Sequence, residues 1–318
     1  MLHFTNGSIV VHLLERAGLP GRVVECADPL HEGPVAHGLS LTAWRELRAR
    51  FLAGGFDLPL DATRADLARR DAAIEAAAAE DEVVLWFEHD LFDQLNLLWL
   101  LDALDRAGVG PGQVQLVVIG AHPEVPEFDG LGQLSPAQLA ALFPARVAPT
   151  PAALDEARAA WAEVCAPDPR ASAARAAASS VHWPWLPGAL LRLWEELPAT
   201  GSGLSRTERQ GLDAIASGAA TLGEAFAGCR AREPRRFLGD WSFYRAMRGL
   251  AAAPTPLLSI EPPAGPAARV SLTAAGMGTL AGTLDHASLN GVDRRVGGVQ
   301  LLGHAPAWRW DGAGIVAG

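Results

Sequence analysis

No lysine occurs in this 318-residue chain; all 26 basic residues are arginine. That absence excludes a P-loop lysine and any lysine Schiff base within the chain, leaving arginine as the only fixed cation for a phosphate or carboxylate. Cysteine is scarce too. Cys26, Cys165 and Cys229 lie far apart and make no C-x-x-C pair, which supports neither a disulfide scaffold nor a cysteine-rich zinc module. Long apolar runs are missing: the longest, around Leu95 to Leu101, is interrupted by Asn96 and falls well short of the roughly 20 residues that span a bilayer. Met1 to Ser8 carry no basic flank or apolar signal core, so a soluble cytoplasmic protein without a membrane partner is expected. Because no G-x-S-x-G elbow, H-E-x-x-H helix or complete P-loop is present, serine hydrolase, zincin and P-loop NTPase lose their sequence support. Nothing supports NAD, FAD or PLP. Gly130-Leu131-Gly132 resembles a dinucleotide fingerprint only superficially; it lacks the third glycine and reads as a flexible loop.

What is present is a globular composition, 49% apolar with 19% charged residues, and enough chain for about two domains at roughly 150 residues each. The net charge of −10 is unevenly placed. From Met1 to Arg170 there are 12 arginines against 25 acids, whereas from Leu204 to Ala252 there are 8 against 5. The first half therefore repels nucleic acid, and only the segment after Gly203 could attract it.

The first half alternates strand and helix. Strands are expected at Leu2 to Phe4, Arg22 to Ala27, Glu82 to Phe87 and Val114 to Ile119, with helical patterns between and after them. The third strand is apolar from Val83 onwards without alternation, as suits a strand buried on both faces of a parallel sheet. The expectation is an α/β fold, a Rossmann-like open parallel sheet with helical crossovers over residues 1–150. Residues 151–203 read as a helical connector ending in a linker at Pro198 to Gly203. In residues 204–318, three helices (Ser205 to Ala216, Leu222 to Cys229, Asp240 to Ala252) precede two short strands, as in a winged helix, and a C-terminal hairpin follows.

Ligands of open parallel sheets sit outside the carboxyl ends of the strands. Three strand ends here are polar: Asn6-Gly7-Ser8, then Asp28 with His31 and Glu32, then Glu88, His89, Asp90, Asp93 and Gln94. Asp28, Asp90 and Asp93 are hard oxygen ligands suited to magnesium or manganese; His31, His89 and Glu88 are the acid-base candidates. Asn6, Gly7, Ser8, Glu32 and Gln94 would grip a small polar ligand, the first three receiving an anion at a helix N-terminus. Plainer roles remain open at each position. Asp90-Leu91-Phe92-Asp93 has capping-box spacing, Ser8 or Asn6 could serve only as an N-cap, His31 could be an exposed turn residue, and Cys26 is a small core residue before it is a nucleophile. In the third helix of the C-terminal segment, Arg245 and Arg248 share one side and are the DNA-contact candidates, although aromatic residues there also fit a core. Trp308-Arg309-Trp310-Asp311 suggests a structural clasp, with Arg309 paired to an acid.

Thr5-Asn6-Gly7, Leu30-His31-Glu32-Gly33-Pro34, Leu85 to Gln94 (LWFEHDLFDQ) and Trp308 to Asp311 together resemble the bacterial domain of unknown function 1835 family over about residues 1 to 130, with a tail similar to that of its longer members. Relatives often carry an aspartate where this chain has Ser8, which weakens a metal-ligand role at that position. The family has no established activity, so the resemblance implies a location for the site and no substrate. Two functional classes stay open: a metal-assisted hydrolase or transferase acting on a small polar or phosphorylated metabolite, and a ligand-sensing winged-helix regulator that binds DNA through its C-terminal domain.

Overall fold

The computed structural model describes residues 1–263 and 265–318, which form two compact units: Met1–Ala166 with Ala174–Leu190, and Pro167–Ala173 with Leu191–Gly318. Among the described residues no helix is long and apolar enough to cross a membrane.

The first unit is built on a four-stranded parallel sheet. In chain order its elements are β1 (Leu2–Thr5), α1 (Ser8–Arg16), β2 (Arg22–Glu25), α2 (Leu41–Phe56), α3 (Leu60–Ala76), β3 (Val83–Glu88), α4 (Leu91–Arg106), β4 (Val114–Ile119), α5 (Pro136–Leu142) and α6 (Pro151–Val164). The strand order is β2-β1-β3-β4, with Leu2 opposite both Arg22 and Val83. All six residues of β3 are buried, as its unalternating apolar run predicts, whereas β2 lies at an edge and is half-exposed. Alternate β3 residues feed two cores. Val84 and Trp86 pack with Val10 and Leu14 of α1 and Leu139 of α5. Elsewhere in the unit, Trp44 of α2 stacks on Trp99 of α4 at 5.4 Å and meets Trp161 of α6 edge-on at 5.9 Å. His3 of β1 is buried, accepting from Trp86 Nε1 at 3.0 Å and donating to the Pro20 carbonyl at 2.9 Å.

Helix starts follow the residues that announce them. Ser135 caps α5 in a capping box with Gln138 and proline at the first turn, and Thr150 caps α6.

The second unit is mostly helical with small antiparallel hairpins. After α7 (Arg170–Ala177) and α8 (Leu186–Trp194), only part of whose residues belong to this unit, come α9 (Arg206–Ala216), α10 (Leu222–Arg230) and α11 (Asp240–Ala251). Next come hairpin β5 (Leu258–Ile260) and β6 (Val270–Leu272), α12 (Ala274–Leu280) and α13 (His286–Asn290). Hairpins β7 (Val292–Val296) with β8 (Val299–Gly303), and β9 (Trp308–Trp310) with β10 (Ile315–Ala317), complete it. Arg192 lies in this unit's core and is answered there by Glu233 at 2.8 Å and Glu196 at 2.6 Å. Pro198 to Gly203, expected as a linker, is instead pinned within the unit. Trp310 donates to the Pro198 carbonyl at 3.0 Å, and Thr200 donates back to Trp310 at 2.8 Å. Arg309 pairs with Asp285 at 2.6 Å, so the tail is clasped by an acid as its sequence suggests.

Candidate functional site

The chain leaves β1 for β2 on one side and returns to β3 on the other, so the topological switch lies between β1 and β3. In open α/β sheets ligands bind at that crevice, beyond the carboxyl ends of the strands. Asn6 follows β1 there, and Glu88 ends β3.

The apolar side chains of α4, among them Leu91, Leu95 and Leu98, draw its first turn into the core and carry Asp90 and Asp93 with them. Asp90 is the N-cap: its Oδ1 accepts from the Asp93 amide at 3.0 Å. Asp93 does not complete a reciprocal box. Its Oδ1 accepts from the Glu88 backbone amide at 2.8 Å, and its Oδ2 from Asn6 Nδ2 at 3.0 Å. The same Asn6 nitrogen donates to Glu88 Oε1 at 2.9 Å, so one side-chain amide ties both carboxylates together. Glu88 Oε1 also accepts from the Leu131 backbone amide at 2.5 Å, and Gln94 Nε2 donates to the Glu88 carbonyl at 2.6 Å.

Glu88, Asp90 and Asp93 are each at most 5% exposed, and each offers a carboxylate oxygen within 4.8 Å of the others. Every hydrogen bond seen on the Glu88 and Asp93 carboxylates comes from a neutral donor. Burial accordingly pushes the Glu88 carboxyl above its ordinary range, with Asn6 and Leu131 offsetting part of the rise. Asp93 is pushed well above its own range, first by burial and then by the negative charges of Asp90 and Glu88. A buried site of hard oxygens with raised affinity for positive charge can hold either a proton or a divalent cation.

Asp28 stands apart from this group, contrary to its expected place among the metal ligands. Its carboxylate is fully buried and taken by Arg48 of α2, whose Nη2 lies 2.6 Å from Oδ1 and whose Nε reaches both oxygens. A fixed guanidinium has already balanced that charge, which leaves no deficit for a cation. Arg48 also donates to the carbonyls of Pro29, Glu32 and Pro34, folding the Asp28 to Pro34 loop around itself. Gly33 takes φ +75° in that loop, and a Cβ there would lie 2.5 Å from the Phe51 ring. His31 is buried with its ring 6.3 Å from Phe92, and Glu32 contributes its carbonyl to Arg48. Asn96, the polar interruption of the apolar run, binds this loop to α4 by accepting from the Asp28 amide and donating to its carbonyl. Cys26 is core: burial pushes its thiol up to about 12, which removes the nucleophile reading.

At the start of α1, Gly7 is the N-cap without a side-chain bond, and Ser8 is the first helical residue, exposed. Burial pushes the Glu25 carboxyl above its ordinary range, and the Ser8 amide at the start of α1 offsets part of that rise. His89 is half-buried, its ring 6.3 Å from Phe128. Arg245 and Arg248 lie in the second unit on α11, both half-buried.

Two contributors were missed. Gly130-Leu131-Gly132, expected as a flexible loop, forms a 3-10 turn whose Leu131 amide binds Glu88; a Cβ at Gly130 would fall 2.2 Å from Glu88 Oε2. Arg48 carried no local mark that it would claim Asp28. No family model matches this chain, and no curated protein matches it either.

Proposed function

We propose that the first unit is a metal-assisted hydrolase or transferase acting on a small polar or phosphorylated metabolite, in a Rossmann-like fold. Glu88, Asp90 and Asp93 hold a magnesium or manganese ion, Asn6 positions two of them, and His89, flanked in sequence by two of these acids, moves the proton. The observation that carries this reading is the contrast between two strand ends. Asp28 is neutralised by Arg48, whereas Glu88 and Asp93 are buried together with neutral donors, at the sheet's switch point. A bound divalent cation would polarise a phosphoryl or carbonyl oxygen, or lower the pKa of a water.

Calorimetric titration of magnesium, manganese and zinc into the full chain, with Glu88→Gln as the control, tests the proposal. Saturable binding lost in the variant is expected. Absence of binding, or binding unchanged by the substitution, overturns it.

A second reading rests on the order of elements in the other unit: α9, α10 and α11 followed by the β5–β6 hairpin is the order of a winged helix. In that reading the first unit senses a ligand and α11 contacts DNA through Arg245 and Arg248. Salt-sensitive binding to genomic fragments, weakened by Arg245→Ala with Arg248→Ala, is its expected signature. DNA binding that is absent at low ionic strength removes it.

A further inference from the structure

A groove of about 620 Å³ runs beside the edge strand β2, between it and α3. Its volume lies in the range of small-metabolite sites. On its wall is Arg70, only 4% exposed, which belongs to a buried charge cluster with Arg45, Arg48, Asp28 and Asp71. Three guanidinium groups thus meet two carboxylates, and the cluster carries one positive charge in excess.

The excess can be assigned to a position. Arg48 saturates Asp28, and Arg45 Nη1 donates to Asp71 Oδ2 at 3.1 Å. Arg70 donates through Nε and Nη2 to Asp71 Oδ1 at 3.2 and 3.0 Å, and its guanidinium lies 4.2 Å over the Trp99 ring. Its Nη1 stands 3.9 Å from Asp28 Oδ2, beyond hydrogen-bond distance. Arg70 is therefore held in one orientation by a carboxylate and an aromatic face, and its Nη1, at ion-pair distance from Asp28, makes no hydrogen bond to the described residues. Two acids also line the groove: Asp66 pairs with Arg69, and burial raises the Glu25 carboxyl above its ordinary range, which favours its neutral form. Arg22, 48% exposed and 3.7 Å from a Glu80 carboxylate oxygen, adds a second guanidinium at the groove.

We infer that this groove binds the phosphate group of a small phosphomonoester, with Arg70 Nη1 as the fixed donor and Arg22 as a mobile second cation. A guanidinium already immobilised loses little freedom when it takes an oxyanion. The site is distinct from the carboxylate cluster and stands whether or not that cluster holds a metal.

The test is calorimetry of inorganic phosphate, with acetate in parallel, against the full chain in EDTA. Binding of phosphate is expected in wild type and about 10- to 100-fold weaker in Arg70→Met, the loss of one charge-assisted hydrogen bond. Arg70→Met should remain folded, because Asp71 retains Arg45 and Asp28 retains Arg48. Leu67→Trp, which fills the groove without changing charge, should weaken phosphate binding as well and carries the test if Arg70→Met does not fold. No phosphate binding in wild type, equal binding in the folded variants, or acetate bound as tightly as phosphate overturns the proposal. Metal binding at Glu88 does not enter these readouts, so either site can fail alone.

Discussion

Asn6 Nδ2 donates to Glu88 Oε1 at 2.9 Å across 82 residues of sequence, joining the end of the first strand to the end of the third. The same nitrogen serves Asp93, so Asn6→Ala strips a donor from two buried carboxylates at once. The expected cost is about 2 to 4 kcal/mol, as two charge-assisted hydrogen bonds are lost. Chemical denaturation in EDTA measures it. Part of the loss should return on adding manganese, which supplies the positive charge that the amide had partly replaced.

Glu88→Gln has the opposite expected sign in metal-free buffer. Glutamine keeps an oxygen for Leu131 and Asn6 but removes one of the negative charges confined at this site. Because burial raises the Glu88 and Asp93 carboxyls in the fold, their ionisation costs stability as pH climbs above their unfolded values near 4.5 and 3.8. At neutral pH the variant should therefore melt higher than wild type in EDTA, by about 2 to 4 °C for each kcal/mol relieved. Differential scanning calorimetry at pH 7 decides it, and the order should reverse when manganese saturates wild type.

Asp28 and Arg48 should behave as a closed pair. Arg48→Met leaves a buried carboxylate facing Arg70 alone at 3.9 Å and frees three loop carbonyls, at an expected cost of about 3 to 5 kcal/mol. Adding Asp28→Asn should restore a substantial share of that stability. A double-mutant cycle in urea reads the coupling, and additive losses would show that the two residues act separately.

His3 sets an acid limit on the first unit. Burial holds its imidazole below the ordinary value of 6.5, in the neutral form that accepts from Trp86. With the folded pKa below the unfolded one, its contribution is complete above pH 6.5 and is lost as pH falls through the folded value. The stability difference between wild type and His3→Gln, measured from pH 7.5 down to 5, should shift against wild type as pH falls.

The sheet and much of the carboxylate site were legible because both rest on local signals. Val83 to Phe87, apolar without alternation, suits a strand covered on both faces, and polar residues directly after such strands fall at the crevice by topology. Asp28 satisfied the same rule and still went elsewhere. An aspartate at a strand end looks identical whether or not an arginine answers it, and Arg48 sits on a helix among several similar arginines. Asn96 carried a readable mark, a lone amide within an apolar run. The Gly130 turn carried none, because its role depends on backbone donors and on the lack of a side chain, neither of which motif spacing records.

One of the two inner strands of the sheet, β1, is also the first of the four to be made. During synthesis β1 can pair with β2 soon after both emerge, but its other edge stays open until β3 follows the whole α2–α3 excursion. An apolar strand with an open ladder is the kind of surface that recruits another chain. The helices that later supply Arg48 and Arg70 thus lengthen the interval in which a nascent chain is exposed to strand exchange with its neighbours. Once Asn6 meets Glu88 that interval has closed, so the same hydrogen bond that shapes the crevice also marks the sealing of the second edge of β1.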